Sequence, residues 1–227
     1  MLIIMLPAAQ YHSAGPVSDD NLTVVNEFFS PKTGNMKKYF LPLIFIVSTA
    51  GAQQWAKQYD FVDDCVCGLA KVSKDGKIGY VTSDGKLVVP LEYDEAITFS
   101  EGLAAVRKNT KWGYLDSTGK VVMEPKYEDA ASFHEGLAAV RKEGKYGFIN
   151  REFEVVIPYS FSMAGRFSEG LAAVANSKDQ WGYINSSGKL VIGYAFTFAD
   201  TFVDGMARIM KGSSMKYIDP AGKEIKE

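Results

Sequence analysis

The chain has 227 residues, with 25 Lys and Arg set against 27 Asp and Glu and a formal net charge of -2. This balance leaves no bulk basic bias for nucleic acid and no acidic tail, so a nucleic-acid partner is not expected. Aromatic residues make up 13% of the chain and only two cysteines and two histidines occur, which narrows the groups available for chemistry from the outset.

In chain order, the first expectation falls at residues 36–52. Met36-Lys37-Lys38 is a short basic start, Leu41 to Val47 is an apolar run, and Ala50-Gly51-Ala52 has the small-x-small form of a cleavage site. The pattern predicts a secretory signal peptide cut before Gln53. Translation would then start at Met36, and residues 1–35 would be an upstream extension. The alternative is a membrane anchor, but the run is shorter than the roughly 20 apolar residues a span needs. No stable membrane span is expected after cleavage. The expected address is the periplasm, the cell surface or the exterior. No cysteine sits at the cleavage point, so a lipoprotein anchor is not expected. Residues 53–58 read as a short linker.

Residues 59–227 repeat. Gly-Leu-Ala-x-Val begins at Gly68, Gly102, Gly136 and Gly170 and decays to Gly-Met-Ala-Arg-Ile at Gly205. Within a unit, Leu103–Arg107, Trp112–Asp116 and Val121–Met123 are apolar runs divided by polar, Gly-containing turns. Short runs of this kind predict antiparallel strands and hairpins. Tetratricopeptide helices have nearly the same period, but here Gly and β-branched pairs interrupt every stretch long enough for a helix. The extra residue of the fourth copy falls in Asn176–Gln180, where a hairpin tip absorbs it.

A connector precedes each unit: Tyr93-x-x-Ala96-x-x-Phe99-x-Glu101 and its counterparts ending at Glu135, Glu169 and Asp204. Its spacing suits 3₁₀ or extended chain, with the aromatics wedged between units. The recurring acids are expected to accept backbone hydrogen bonds at the turn into Gly-Leu-Ala. Before the first copy the connector reads Tyr59-x-x-Val62-x-x-Cys65-x-Cys67. By register Cys65 takes the Phe position and is expected to be a small buried apolar group. A metal pair is the alternative.

The recurring aromatic-Gly-aromatic unit (Trp112-Gly113-Tyr114, Tyr146-Gly147-Phe148, Trp181-Gly182-Tyr183), the Gly-Lys turn and the connector together resemble the WG-repeat family of bacterial proteins. The resemblance covers about residues 59–227. Ile78 departs from it in the first copy and Met215-Lys216 in the last, as terminal units of an array often do. It implies a β-rich repeat module, often in envelope or surface proteins, and no catalytic residues.

The chain carries no Gly-rich phosphate loop, nucleophile elbow or zinc spacing. His134 stands where neighbouring copies have Ser100 and Ser168, and reads as a surface residue. No catalytic residue, metal site or cofactor is expected. Stacked repeats would align Arg107 with Arg141 and Lys111 with Lys145. These four are the candidate ligand surface, with a solvated polar face as the alternative. Trp112, Tyr114, Tyr146, Phe148, Trp181 and Tyr183 are assigned to repeat packing. Two departures, Arg151-Glu152-Phe153-Glu154 and Tyr159-Ser160-Phe161-Ser162, lie in the third copy and read as drift of the repeat.

The expected fold is all-β: a tandem array of about five 34-residue antiparallel hairpin units, open and twisted in preference to a closed propeller. The polar Lys211–Ser214 segment and the charged tail Lys223–Glu227 are expected to cap the far end. The expected function is a non-enzymatic secreted or envelope module that binds or scaffolds a protein or glycan partner. The alternatives are a hydrolase of envelope polymers and a purely structural spacer.

Overall fold

A computed structural model describes residues 54–225. The stretches read from sequence as an extension (1–35) and a signal peptide (36–52), residue 53 and the last two residues of the tail lie outside this range.

Five four-stranded antiparallel sheets follow one another, each with its strands in chain order. The first holds β1 (Phe61–Val66), β2 (Leu69–Lys74), β3 (Lys77–Thr82) and β4 (Leu87–Tyr93). The second holds β5 (Glu95–Ala96), β6 (Leu103–Lys108), β7 (Lys111–Asp116) and β8 (Val121–Tyr127). The third holds β9 (Asp129–Ala130), β10 (Leu137–Lys142), β11 (Lys145–Asn150) and β12 (Val155–Phe161). The fourth holds β13 (Met163–Ser168), β14 (Leu171–Ala175), β15 (Trp181–Asn185) and β16 (Leu190–Phe196). The fifth holds β17 (Phe198–Ala199), β18 (Ala207–Lys211), β19 (Ser214–Ile218) and β20 (Glu224–Ile225). The connector is extended chain and supplies the first strand of each sheet. Among the described residues no hydrogen bond or ion pair links the first sheet to the last, and the array is open.

The aromatic-glycine pair has a steric cause. β7 and β8 pair Trp112 with Tyr127 and Tyr114 with Met123, so the residues between form a bulge. The bulge lays a carbonyl directly over the glycine. A Cβ on Gly182 would lie 2.5 Å from the Ile192 carbonyl oxygen, and one on Gly147 would lie 2.6 Å from that of Ile157. Real side chains do not sit that close, so only glycine fits under the bulge. In the last unit Lys216 takes this place, and β20 is only two residues long.

Because side chains alternate across a strand, each sheet has two different faces. The front face of the second sheet carries Leu103, Ala105, Trp112, Tyr114 and Tyr127. It packs on Ala138, Val140 and Ile149, the back face of the third sheet, in one core cluster. The other three junctions repeat this plan. The connector phenylalanine wedges into each junction against the tyrosine or phenylalanine of the preceding sheet. The ring centroids are 5.2 Å apart for Tyr80–Phe99, 5.1 Å for Tyr114–Phe133, 5.0 Å for Phe148–Phe167 and 4.9 Å for Tyr183–Phe202.

Polar groups stitch the same junctions. The Gly136 amide donates to Glu101, Gly170 to Glu135 and Gly205 to Glu169. The connector acids therefore hold the turn of the next copy. The Tyr114 hydroxyl donates to the Ala131 carbonyl at 2.8 Å and Tyr183 to Asp200 at 2.7 Å.

The ends differ from expectation. Cys65 is exposed, although its register is that of the connector phenylalanine. That position is buried by a preceding sheet, and no described sheet precedes the first. The residues read as a linker instead form the N-terminal cap. Trp55 and Tyr59 pack on Ala70, Val72 and Val81, the back face of the first sheet. Trp55 lies on Gly85 as Val88 and Val89 of the first sheet lie on Gly119 of the second, so it takes the place of a preceding repeat. At the far end the expected cap is not formed by the described residues. Lys211 and Ser214 flank a hairpin tip, and Met206, Met215 and Tyr217 on the last front face are exposed.

Candidate functional site

Two residues that break the repeat, Lys126 and Phe153, meet residues that keep it at one place. Lys126, Tyr127, Lys142, Phe153, Val155 and Tyr159 line a hollow of about 400 Å³ at the rim of the junction between the second and third sheets. β8 brings Lys126 and Tyr127, the end of β10 brings Lys142, and β12 with the turn before it brings Phe153, Val155 and Tyr159.

Each departure changes the site in a definite way. Phe153 stands where the other copies have Gly85, Gly119, Gly188 and Gly222. It keeps the positive φ of that turn, 64°, which costs a bulky residue about 1–3 kcal/mol. In return its ring reaches across the junction to Tyr114, at 5.7 Å between centroids, and to Phe133, at 6.1 Å. Tyr159 stands where the second copy has Pro125, and the fourth copy keeps a tyrosine there, Tyr194. Burial, and after it the neighbouring Tyr159 hydroxyl, push the Tyr127 phenol well above its ordinary value. The Tyr127 phenol therefore stays protonated near neutrality.

The charges change as well. At the first junction the corresponding residues are Glu92 and Lys108, which form an ion pair at 2.9 Å. At the second junction they are Lys126 and Lys142, and neither takes part in an ion pair among the described residues. The Lys126 ammonium lies 5.2 Å from the Tyr127 ring centroid.

The four cations predicted as a ligand surface lie nearby at the hairpin ends of β6, β7, β10 and β11. Arg107 pairs with Glu95, and Arg141 lies 3.7 Å from Glu128 with its guanidinium 5.8 Å over the Tyr146 ring. Asp94 and Glu92 also interrupt the stripe by holding Lys77 and Lys108. Lys111 is the cross-strand partner of Lys108, and Lys145 that of Lys142. Of the four, only Lys145 thus adjoins a residue of the hollow across a strand.

The six residues assigned to packing lie along the junctions. Tyr114, Phe148 and Tyr183 are fully buried, Trp112 is 8% exposed, and Tyr146 and Trp181 are half-buried. Burial and the Asp129 carboxylate push the Tyr146 phenol up to about 12. Lys126, Lys142, Tyr127 and Val155 were missed by reasoning from sequence. The signal was present in the repeat alignment, where a lysine takes the place of Glu92. Phe153 and Tyr159 were noticed and read as drift, because nothing in the linear sequence shows that they meet.

Among the described residues no group of three His, Cys, Asp or Glu could hold a metal ion. No helix among them is long and apolar enough to cross a membrane.

Among solved structures the chain is similar to Hsv2 from Kluyveromyces lactis, with 9% identity and a TM-score of 0.48, over 70% of this chain and 59% of that one. It is similar to BamB from Moraxella catarrhalis, with 10% identity and a TM-score of 0.42, over 69% and 56%. The WD40 β-propeller domain of Doa1 matches with 14% identity and a TM-score of 0.41, over 74% and 67%. The chain thus spans less than two thirds of the length of Hsv2 and BamB. No curated protein matches the sequence. The family described as WG containing repeat matches residues 78–112, 112–146, 146–177 and 181–213, four consecutive copies over more than half of the chain. The chain belongs to the WG-repeat family.

Proposed function

We propose that this protein is a non-enzymatic binding module, exported to the bacterial envelope or exterior, that meets a protein or glycan partner at the rim of its array. The observation that carries this reading is the hollow between the second and third sheets. Its lining consists of three rings, two ammonium groups and one valine, which are groups that recognise and hold a ligand. Most residues that keep the repeat are consumed by packing and by the clamps between sheets, whereas Lys126 and Phe153 depart from it and join the exposed Lys142 and Val155 at the hollow. The export pattern at residues 36–52 supports the address.

The test is retention. Full chain is immobilised and exposed separately to polysaccharide and protein fractions of envelope extract. The reading expects saturable retention from one fraction, with the retained material unchanged in size. Retention from neither fraction would favour a spacer, and shortening of a polymer would favour a hydrolase. Mass spectrometry of the native protein tests the address, with an N-terminus at Gln53 expected and one at Met1 or Met36 against it.

A further inference from the structure

We infer that the hollow between the second and third sheets is a binding site for an acidic sugar unit, its anionic group held between Lys126 and Lys142 and its ring laid on the aromatic lining. This rests on the proposal that the protein is a binding module, and it names the ligand class.

The argument comes from comparing the junctions with one another. Four junctions share one backbone plan, so the same pair of positions recurs at each. The first junction places a carboxylate and an ammonium there, Glu92 and Lys108, and they pair at 2.9 Å. The third has Ser160 and Asn176, and the fourth has Ala195 and Lys211. Only the second places two cations there. Two like charges at adjoining positions repel, and the structure offers neither a carboxylate partner among its described residues. An anion between them would supply what Glu92 supplies at the first junction. Lysine ammonium groups are compact point charges without the planar fork of arginine. They suit a carboxylate or sulfate approached from the side, as on the rim of a sugar ring.

The rest of the hollow fits the ring. Its volume of about 400 Å³ falls in the range of small-molecule sites, roughly 300–1,000 Å³. Tyr159 and Phe153, both partly exposed, offer faces for the C–H side of a sugar, and the Tyr159 hydroxyl can serve its hydroxyl groups, while the buried Tyr127 ring backs the hollow beneath Lys126. Phe153 keeps the positive φ of 64° that glycine holds in the other copies, and its ring walls the hollow on the side of Tyr114 and Phe133. Strain retained in one copy and absent from the others is the mark of a position kept for a task.

Isothermal titration of the full chain with glucuronate, glucose and inorganic phosphate tests the inference. Saturable binding of glucuronate is expected, with glucose and phosphate each at least about tenfold weaker, since each lacks one half of the recognition. Lys126→Glu restores the charge pattern of the first junction, so it should weaken glucuronate by about tenfold or more while the melting temperature holds or rises. Lys142→Asn, which copies the third junction, should act likewise. Lys178→Glu, at an exposed hairpin tip of the fourth sheet, should leave binding unchanged. The inference is overturned if glucuronate does not bind, if glucose or phosphate binds as tightly, or if both hollow variants bind like the wild type. Should envelope polysaccharide still be retained in that event, the binding-module reading stands and only this site falls.

Discussion

At the scale of single residues, two positions report the physics most cleanly. Gly182 lies under the bulge, where a methyl group would meet the Ile192 carbonyl at 2.5 Å, whereas a Cβ on Gly193 would meet nothing within 4 Å. Gly182→Ala should therefore destabilise by about 1–3 kcal/mol through overpacking. Gly193→Ala should be neutral or stabilise by about 0.4–1 kcal/mol, because it restricts the unfolded chain. Urea midpoints of the two variants check the opposite signs. His134 is the second position. Ser100 and Ser168 each donate a hydroxyl to the connector carbonyl of the next copy, at 2.6 and 2.8 Å, and His134 interrupts that series. Burial, and after it the charge of Arg166, lower its pKa from 6.5, while Glu101 and Glu135 oppose them. Protonation therefore favours the unfolded chain. The stability contributed by neutral His134 is full above pH 6.5 and is lost as pH falls through the lowered value. His134→Ser should remove that acid-side loss and add about 0.5–1.5 kcal/mol from the restored hydrogen bond. Urea melts at pH 7.5 and pH 5 test both parts.

At the scale of elements, the repeat was legible because strand and turn chemistry is local. Glycine, the aromatic pair and the acid each recur at positions whose cause lies within a few residues or one period. The connector was harder to read. Its two-residue strand pairs, as in Glu95–Arg107 and Ala96–Val106, are formed with residues about a dozen positions away. The role of its acid became visible only when Gly136 of the next copy was seen donating to Glu101. Glu135→Gln should leave this clamp largely in place, while Glu135→Ala should cost about 1 kcal/mol by leaving the Gly170 amide without its partner. The ends were the least legible. Burial of Cys65 was inferred from register alone, but a register position is buried only if a neighbouring sheet covers it. The cap by Trp55 carries no repeat signature, since it imitates a preceding sheet with one ring. Trp55→Ala should lower hydrogen-exchange protection in β2 and β3 and leave β14 and β15 unchanged, because stability in an array passes between neighbours. Equal loss along the whole chain would contradict this neighbour-by-neighbour account.

At the scale of the whole molecule, a single heterologous interface is used four times, front face on back face, and each use consumes the residues that define the family. At the rim of the second junction lies a hollow where two departures from that pattern, Lys126 and Phe153, join residues that keep it. The central claim is that the consensus holds the fold and that two exceptions, Lys126 and Phe153, turn one junction into a binding site. Neither half was fully open to a reading of one sequence, because the departures at Lys126 and Phe153 become a site only when two sheets bring them together. The most direct test measures melting temperature and retention of envelope polysaccharide together for two variants. Trp112→Ala, in the consensus core, should lose about 3–5 kcal/mol of stability, with retention falling only as folded protein is lost. Lys126→Glu should hold or raise the melting temperature and lose retention. A Trp112→Ala variant that keeps its melting temperature and loses its ligand, or a Lys126→Glu variant that keeps its ligand, would contradict the account.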